Sequence, residues 1–272
     1  MDSGALRLAL RNGQKVYGTC IVSPSPVWPP MIASVGLDFV FIDTEHIPID
    51  RAQLSWMCQA YGARGLAPIV RIPKPDPYLA CMALDAGAGG IVAPYMESVR
   101  EVRDLRGAVR YRPLKGERLE RVLSGEEPLD DALAAYLGGY GDNKCMIVNV
   151  ESVAAIGALD TLLAEPDIDA LLIGPHDLSI SLGIPEQYTH PRFTEAVHTI
   201  IGKGRGAGVG VGFHYSFGIE DAIAWAEAGA NLIIHSSDYF LTRDALRADL
   251  AQFRGRLGGV AGEGSGEEAV IV

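Results

Sequence analysis

"APIVRIPKPDPYLACMALDAGAGGIVAPYM", Ala67 to Met96, holds one complete structural unit. It opens on a β-branched run, "APIVRI", and closes on another, "GGIVAPYM", and between them "DPYLACMALDAGA" has helical periodicity, an acid at its start and glycine near its end. Neither run alternates apolar with polar residues, as expected of strands covered on both faces. Two such strands joined through a helix lie parallel, by a right-handed crossover.

The unit recurs along the chain. Further runs at "KVYGTCIV", "DFVFID", "KCMIVNVE", "DALLIGP", "VGVGFH" and "NLIIHS" bring the strands to eight, and "IEDAIAWAEAGA" repeats the helical pattern. Eight units in 272 residues, 48% of them apolar, favour an α/β fold closed as a single-domain (β/α)8 TIM barrel. The alternative, an open doubly wound sheet, lacks the expected G-x-G-x-x-G after its first strand. The expected boundaries are a barrel over residues 1–257 and a flexible, disordered tail over 258–272, "GGVAGEGSGEEAVIV". One long interruption, Arg112 to Asn143, is expected to carry a short helix over Leu129 to Leu137.

A net charge of -11 argues against nucleic acid as a partner, because that affinity comes from clustered Lys and Arg. No apolar run reaches the roughly 20 residues of a membrane span, and the start does not read as a signal peptide, so a cytoplasmic location is expected. Cys20, Cys58, Cys81 and Cys145 lack C-x-x-C spacing and sit in apolar segments, as reduced core thiols do.

In a barrel of this kind the chemistry lies at the carboxyl ends of the strands. Polar residues fall there: Asp43, Glu45 and His46 after strand two, Arg71 after strand three, and Asn149 and Glu151 after strand five. "GPHD", Gly174 to Asp177, follows strand six, and His214 and His235 end strands seven and eight. Glu151 and Asp177 have the makings of a divalent-metal site, since hard cations take carboxylate oxygens and leave the remaining positions to water and substrate. The plainer reading is that both cap the helices that follow. Arg71 ends an apolar strand and must meet a protein carboxylate or an anionic ligand. His46 reads as a core histidine, a metal ligand or a general base oriented by a nearby Asp.

"FIDTEH", "VRIP", "LDAGAGGIVAP", "VNVES" and "IGPHDLSISLG", in this order, resemble the HpcH/HpaI family of metal-dependent 2-oxo acid aldolases, within the citrate lyase β-like group. The likeness spans about residues 5 to 255. It implies that Glu151 and Asp177 hold a divalent ion (Mg2+, Mn2+ or Co2+). It also implies that a 2-oxo acid of the pyruvate or oxaloacetate type is steadied by Arg71 and the backbone near Gly174, Pro175 and His176. His46 would move the proton, aided by Asp43 and by Asp85, the latter from a neighbouring subunit. A carbon–carbon lyase joining or releasing an aldehyde follows, working as a homohexamer. A condensing enzyme of the citrate synthase kind and a non-catalytic metabolite-binding barrel are the alternatives.

Two departures from the family's pattern stand out. Asn149 occupies a position where Gln is usual, and "YRPLKGERLERV", Tyr111 to Val122, replaces a Y-P-P-x-G-x-R-G loop. The basic residues Arg110, Arg112, Lys115 and Arg118, with His214 and His235, are expected to border the pocket mouth and favour a polar or anionic acceptor.

Overall fold

The structure, a computed structural model, describes residues 1–259. All but the first two residues of the expected tail lie outside the described residues. The elements are, in order, α1 (Ser3–Arg11), β1 (Val16–Ile21), α2 (Trp28–Ser34), β2 (Phe39–Asp43), α3 (Arg51–Gly62), β3 (Ala67–Arg71), α4 (Pro77–Asp85), β4 (Gly90–Ala93) and α5 (Val99–Arg110). There follow α6 (Gly116–Ser124), α7 (Asp131–Gly141), β5 (Cys145–Val150), α8 (Val153–Leu163), β6 (Ala170–Ile173), α9 (Pro175–Ser181), α10 (Pro191–Gly206), β7 (Gly210–Tyr215), α11 (Ile219–Glu227), β8 (Leu232–Ser237) and α12 (Asp238–Leu257). Every strand pairs with the next and β1 pairs with β8, all parallel, so the sheet closes into the expected barrel.

The unbroken apolar runs are explained by what lies on each side of the sheet. Phe39 and Phe41 of β2, Ile69, Val92, Ile147, Leu172 and Ile234 belong to one buried cluster, which fills the barrel. Their neighbours in sequence, such as Val40, Ile42, Val70, Ile91, Val148 and Leu171, pack outward with the helices. Successive side chains on a strand point to opposite faces, and here both faces are buried. The floor is closed by α1, whose Leu6 and Leu10 join the inner cluster and are fully buried.

The interruption between β4 and β5 holds two helices where one was expected. α7 covers the anticipated segment; α6 is additional, and it rests on Gly107 of α5, where an added Cβ would lie 3.1 Å from Leu123 Cδ1 and 3.2 Å from Leu119 Cδ2. This segment lies at the amino-terminal end of the barrel. Arg110 donates to the carbonyls of Gly141 and Lys144 ahead of β5 and of Asp167 ahead of β6, and Arg112 pairs with Asp85 at 3.0 Å. The expectation that these basic residues border the pocket mouth is therefore overturned: a segment leaving the end of α5 emerges at the floor, opposite the carboxyl ends of the strands.

Candidate active site

Strand period decides which residues face the barrel axis. Continuing the inward phase of Phe41, Ile69, Ile147, Leu172 and Gly212 by two residues gives Asp43, Arg71, Asn149, Gly174 and His214, and a further step in β5 gives Glu151. A cavity of about 290 Å³ lies at these ends, lined among others by Phe41, Arg71, Asn149, Gly174, Asp177 and His214. His235 is out of phase with Ile234 and is exposed; it does not line this cavity, contrary to expectation.

Asp43 and Arg71 are direct partners across the β2–β3 ladder. Arg71 donates from Nε to Asp43 Oδ1 at 2.9 Å and from Nη2 to Oδ2 at 2.6 Å, a bidentate pair, and Glu45 Oε2 stands 3.2 Å from Nε. The buried guanidinium thus meets a protein carboxylate. Asp43 is spent on it, so the acid beside His46 is Glu45, at 3.8 Å from Nε2. The expected Asp43–His46 dyad is replaced by Glu45–His46 because the in-register arginine takes Asp43 first.

Burial pushes Glu45 up to about 7, with Asp43 and Asp177 adding and Arg71 opposing. Burial likewise pushes Glu151 up to about 7, with Asp177 and Glu45 adding, while the Tyr95 amide and Arg71 oppose. His46 is pushed down by burial and by Arg71, which keeps a neutral imidazole available. His214 is pushed down to about 4 by burial and Arg71, and its Nε2 lies 3.1 Å from the Ser236 carbonyl. A neutral His214 therefore carries its proton on Nε2.

Glu151 and Asp177 do not cap helices with their side chains. Ser152 is the cap of α8, accepting from the Ala155 amide, and Gly174 precedes α9 without a side-chain cap. Glu151 instead accepts the Tyr95 amide on Oε1 at 2.7 Å and the Asn149 amide on Oε2. Asp177 Oδ1 accepts the Tyr95 phenol at 2.9 Å. Gly174 leaves room for Glu151: a Cβ there would displace the Glu151 carboxylate from its present place.

The family model for HpcH/HpaI aldolase/citrate lyase matches residues 25–245. The chain belongs to this family. It is 31% identical over 265 residues to the 2-keto-3-deoxy-L-rhamnonate aldolase of Escherichia coli, covering 97% of this chain and 98% of that one. It is 29% identical over 254 residues to the hydroxypyruvate/pyruvate aldolase of Roseovarius nubinhibens, covering 93% and 97%. Among solved structures it resembles citrate synthase SbnG, with TM-score 0.79, 29% identity and coverage of 92% and 98%. The protein is an aldolase, a carbon–carbon lyase.

The donor set of this family member suits a divalent cation. Four carboxylates, Asp43, Glu45, Glu151 and Asp177, act electrostatically on one another with Arg71 as their main countercharge, and the buried Asn149 Oδ1 has no hydrogen-bond partner. Among the described residues no group of three or more His, Cys, Asp or Glu side chains converges as a metal cage. Two carboxylates with water and substrate completing the shell is the arrangement hard cations accept.

Asp85 takes no part in the site of its own chain. It ends α4 at the floor, and its side chain is 73% exposed; a place in a site would have to be in another copy's. His176 lines the cavity, with Nδ1 3.8 Å from Glu186. His46 lines a neighbouring, wider hollow of about 860 Å³ with Trp28 and Asp238. Tyr95 escaped the sequence reading, although it immediately follows the fourth strand's "VAP", a position at which strand-end chemistry was sought on other strands.

Proposed function

We propose that this aldolase makes or cleaves the carbon–carbon bond of a 4-hydroxy-2-oxo acid, with Glu151 and Asp177 holding Mg2+, Mn2+ or Co2+. The observation that carries the reading is that Glu151 and Asp177 are brought together through Tyr95, with Asp177 and the buried cation Arg71 lining one cavity. When bound, the ion stabilises negative charge developing on the 2-oxo acid as its enolate forms. Arg71 is held rigid through Nε and Nη2 by Asp43, which leaves Nη1 to meet a substrate carboxylate. Gly174, Pro175 and His176 form the adjoining wall, Asn149 and His214 its inner end. His46, kept neutral, accepts the hydroxyl proton on cleavage and returns it on condensation, with Glu45 beside it.

The test is a retro-aldol screen of 4-hydroxy-2-oxo acids with added divalent metal, read by release of pyruvate or hydroxypyruvate, the compounds named for the Roseovarius relative. Release that survives exhaustive chelation sinks the metal reading. Including oxaloacetate with an acyl-CoA thioester separates a condensing enzyme of the kind named for SbnG, which would form a tricarboxylate with release of the free CoA thiol and no aldehyde.

Small-molecule turnover suits the charge balance, and no helix among the described residues is long and apolar enough to cross a membrane. The four cysteines are free thiols, in keeping with a cytoplasmic, reducing setting. We also propose a homohexamer. α12 exposes Leu241, Leu246, Leu250, Phe253 and Leu257, and only Asp238 of its 20 residues is buried, so these apolar side chains are left for a second copy to cover. Sedimentation velocity at working concentration should show a single large species; a monomer refutes it.

A further inference from the structure

Tyr95 sits in a conformation that its residue type avoids. Its φ is +47°, in the left-handed region that crowds a bulky Cβ, and such outliers persist where the surroundings hold them in place. Here two contacts of the same residue do so. The backbone N–H reaches Glu151 Oε1 at 2.7 Å and the phenol O–H reaches Asp177 Oδ1 at 2.9 Å. Glu151 and Asp177 are 26 residues apart in sequence, on the ends of β5 and the start of α9, and one residue after β4 ties them together.

We propose that Tyr95 is the positioning residue of the metal site, a clasp that sets both metal carboxylates at once and tunes the affinity for the ion. This rests on the reading that Glu151 and Asp177 hold it.

The chemistry of the contacts supports the assignment. A carboxylate oxygen accepts at more than one lone pair, so a donor on Oε1 or Oδ1 orients the group without closing it to a cation. The phenol O–H faces a carboxylate oxygen at 2.9 Å and donates to it. Its left-handed turn is what points amide and ring to the same site: at negative φ the strand's direction would carry the side chain elsewhere. Partners of metal ligands fix ligand orientation, and their loss typically weakens metal binding about 10- to 100-fold.

The experiment is titration of metal-free protein with Mn2+ alone, following the free-ion paramagnetic resonance signal, for wild type, Tyr95→Phe and Glu151→Gln. Tyr95→Phe retains the ring and the backbone contact and removes only the phenol bond. The expected result is Mn2+ binding weaker by about 10- to 100-fold in Tyr95→Phe, with the melting temperature of the metal-free protein unchanged. Equal affinity in wild type and Tyr95→Phe overturns the clasp. Weaker binding accompanied by a lower metal-free melting temperature also overturns it, since the phenol is then an ordinary structural tie. Wild-type binding that survives Glu151→Gln is a different failure, that of the metal assignment itself.

Discussion

His46→Ala lowers kcat by about 100- to 10,000-fold, the usual contribution of a positioned acid or base, and leaves Mn2+ affinity where it was. The imidazole stands after β2 on a turn pinned from both sides: Thr44 donates its hydroxyl to the Arg71 carbonyl at 2.6 Å, and the Glu45 amide donates to Asp43 Oδ1 at 3.0 Å. Burial and the Arg71 charge lower its pKa, so at neutral pH the ring is free to accept a proton. With 37% of its side chain exposed, it can return that proton to solvent or product. Glu151 and Asp177, the carboxylates proposed to hold the metal, are by contrast held by Tyr95 and Asn149, and His46 can be removed without disturbing them. Steady-state kinetics and Mn2+ titration on one preparation decide the matter. Loss of metal together with activity makes His46 a ligand. A kcat within about 10-fold of wild type moves the proton transfer to another group; Glu45 comes first, its carboxyl pushed up to about 7 and 3.8 Å from the ring.

The barrel was legible because its strands are covered twice. A strand buried on both faces cannot alternate, so "FVFID" and "APIVR" read as strands without any structural help. α6 was missed because "GERLERVLS" carries four charged residues and only three large apolar ones, of which Leu119 and Leu123 meet one small glycine-faced patch of α5. At the site, Asp43, Arg71, Asn149, Glu151 and His214 could be placed from strand ends alone. His235 was misplaced for want of a phase count: Leu232 and Ile234 already occupy the inward positions of β8, which sends the next side chain outward. Tyr95 was invisible for a different reason. One of its two contacts belongs to a backbone N–H, and the phenol reaches Asp177 from a left-handed φ, which the residue type does not foretell. The pairing of Arg71 with Asp43 depends on register, Asp43 opposite Arg71, which sequence order does not give.

Asp169→Ala destabilises the fold by about 3–5 kcal/mol, the range for stripping one partner from a buried ion pair, although the residue lies at the opposite end of the barrel from the cavity. Asp169 is fully buried just before β6. Its Oδ1 accepts Arg7 Nε at 2.9 Å and Arg11 Nε at 2.8 Å, both from α1, and its Oδ2 accepts Arg110 Nη2 and the Met146 amide. One carboxylate therefore joins the floor helix, the end of α5, β5 and β6. The three arginines do not weigh equally. Arg11 is 40% and Arg7 21% exposed, so water takes over much of their solvation when the partner is lost. Arg110 is 6% exposed, and its Nη1 and Nη2 also donate to the carbonyls of Gly141, Lys144 and Asp167; it cannot turn to solvent. Most of the cost comes from that stranded cation and from the Met146 N–H, which loses its acceptor inside the sheet. Arg11→Ala, removing only the half-exposed arm, should cost below about 1 kcal/mol. Urea unfolding at fixed protein concentration reads both, as shifts of midpoint at constant slope. If Asp169→Ala falls as little as Arg11→Ala, the charge cluster is a surface decoration, and closure of the floor rests on Leu6 and Leu10 alone.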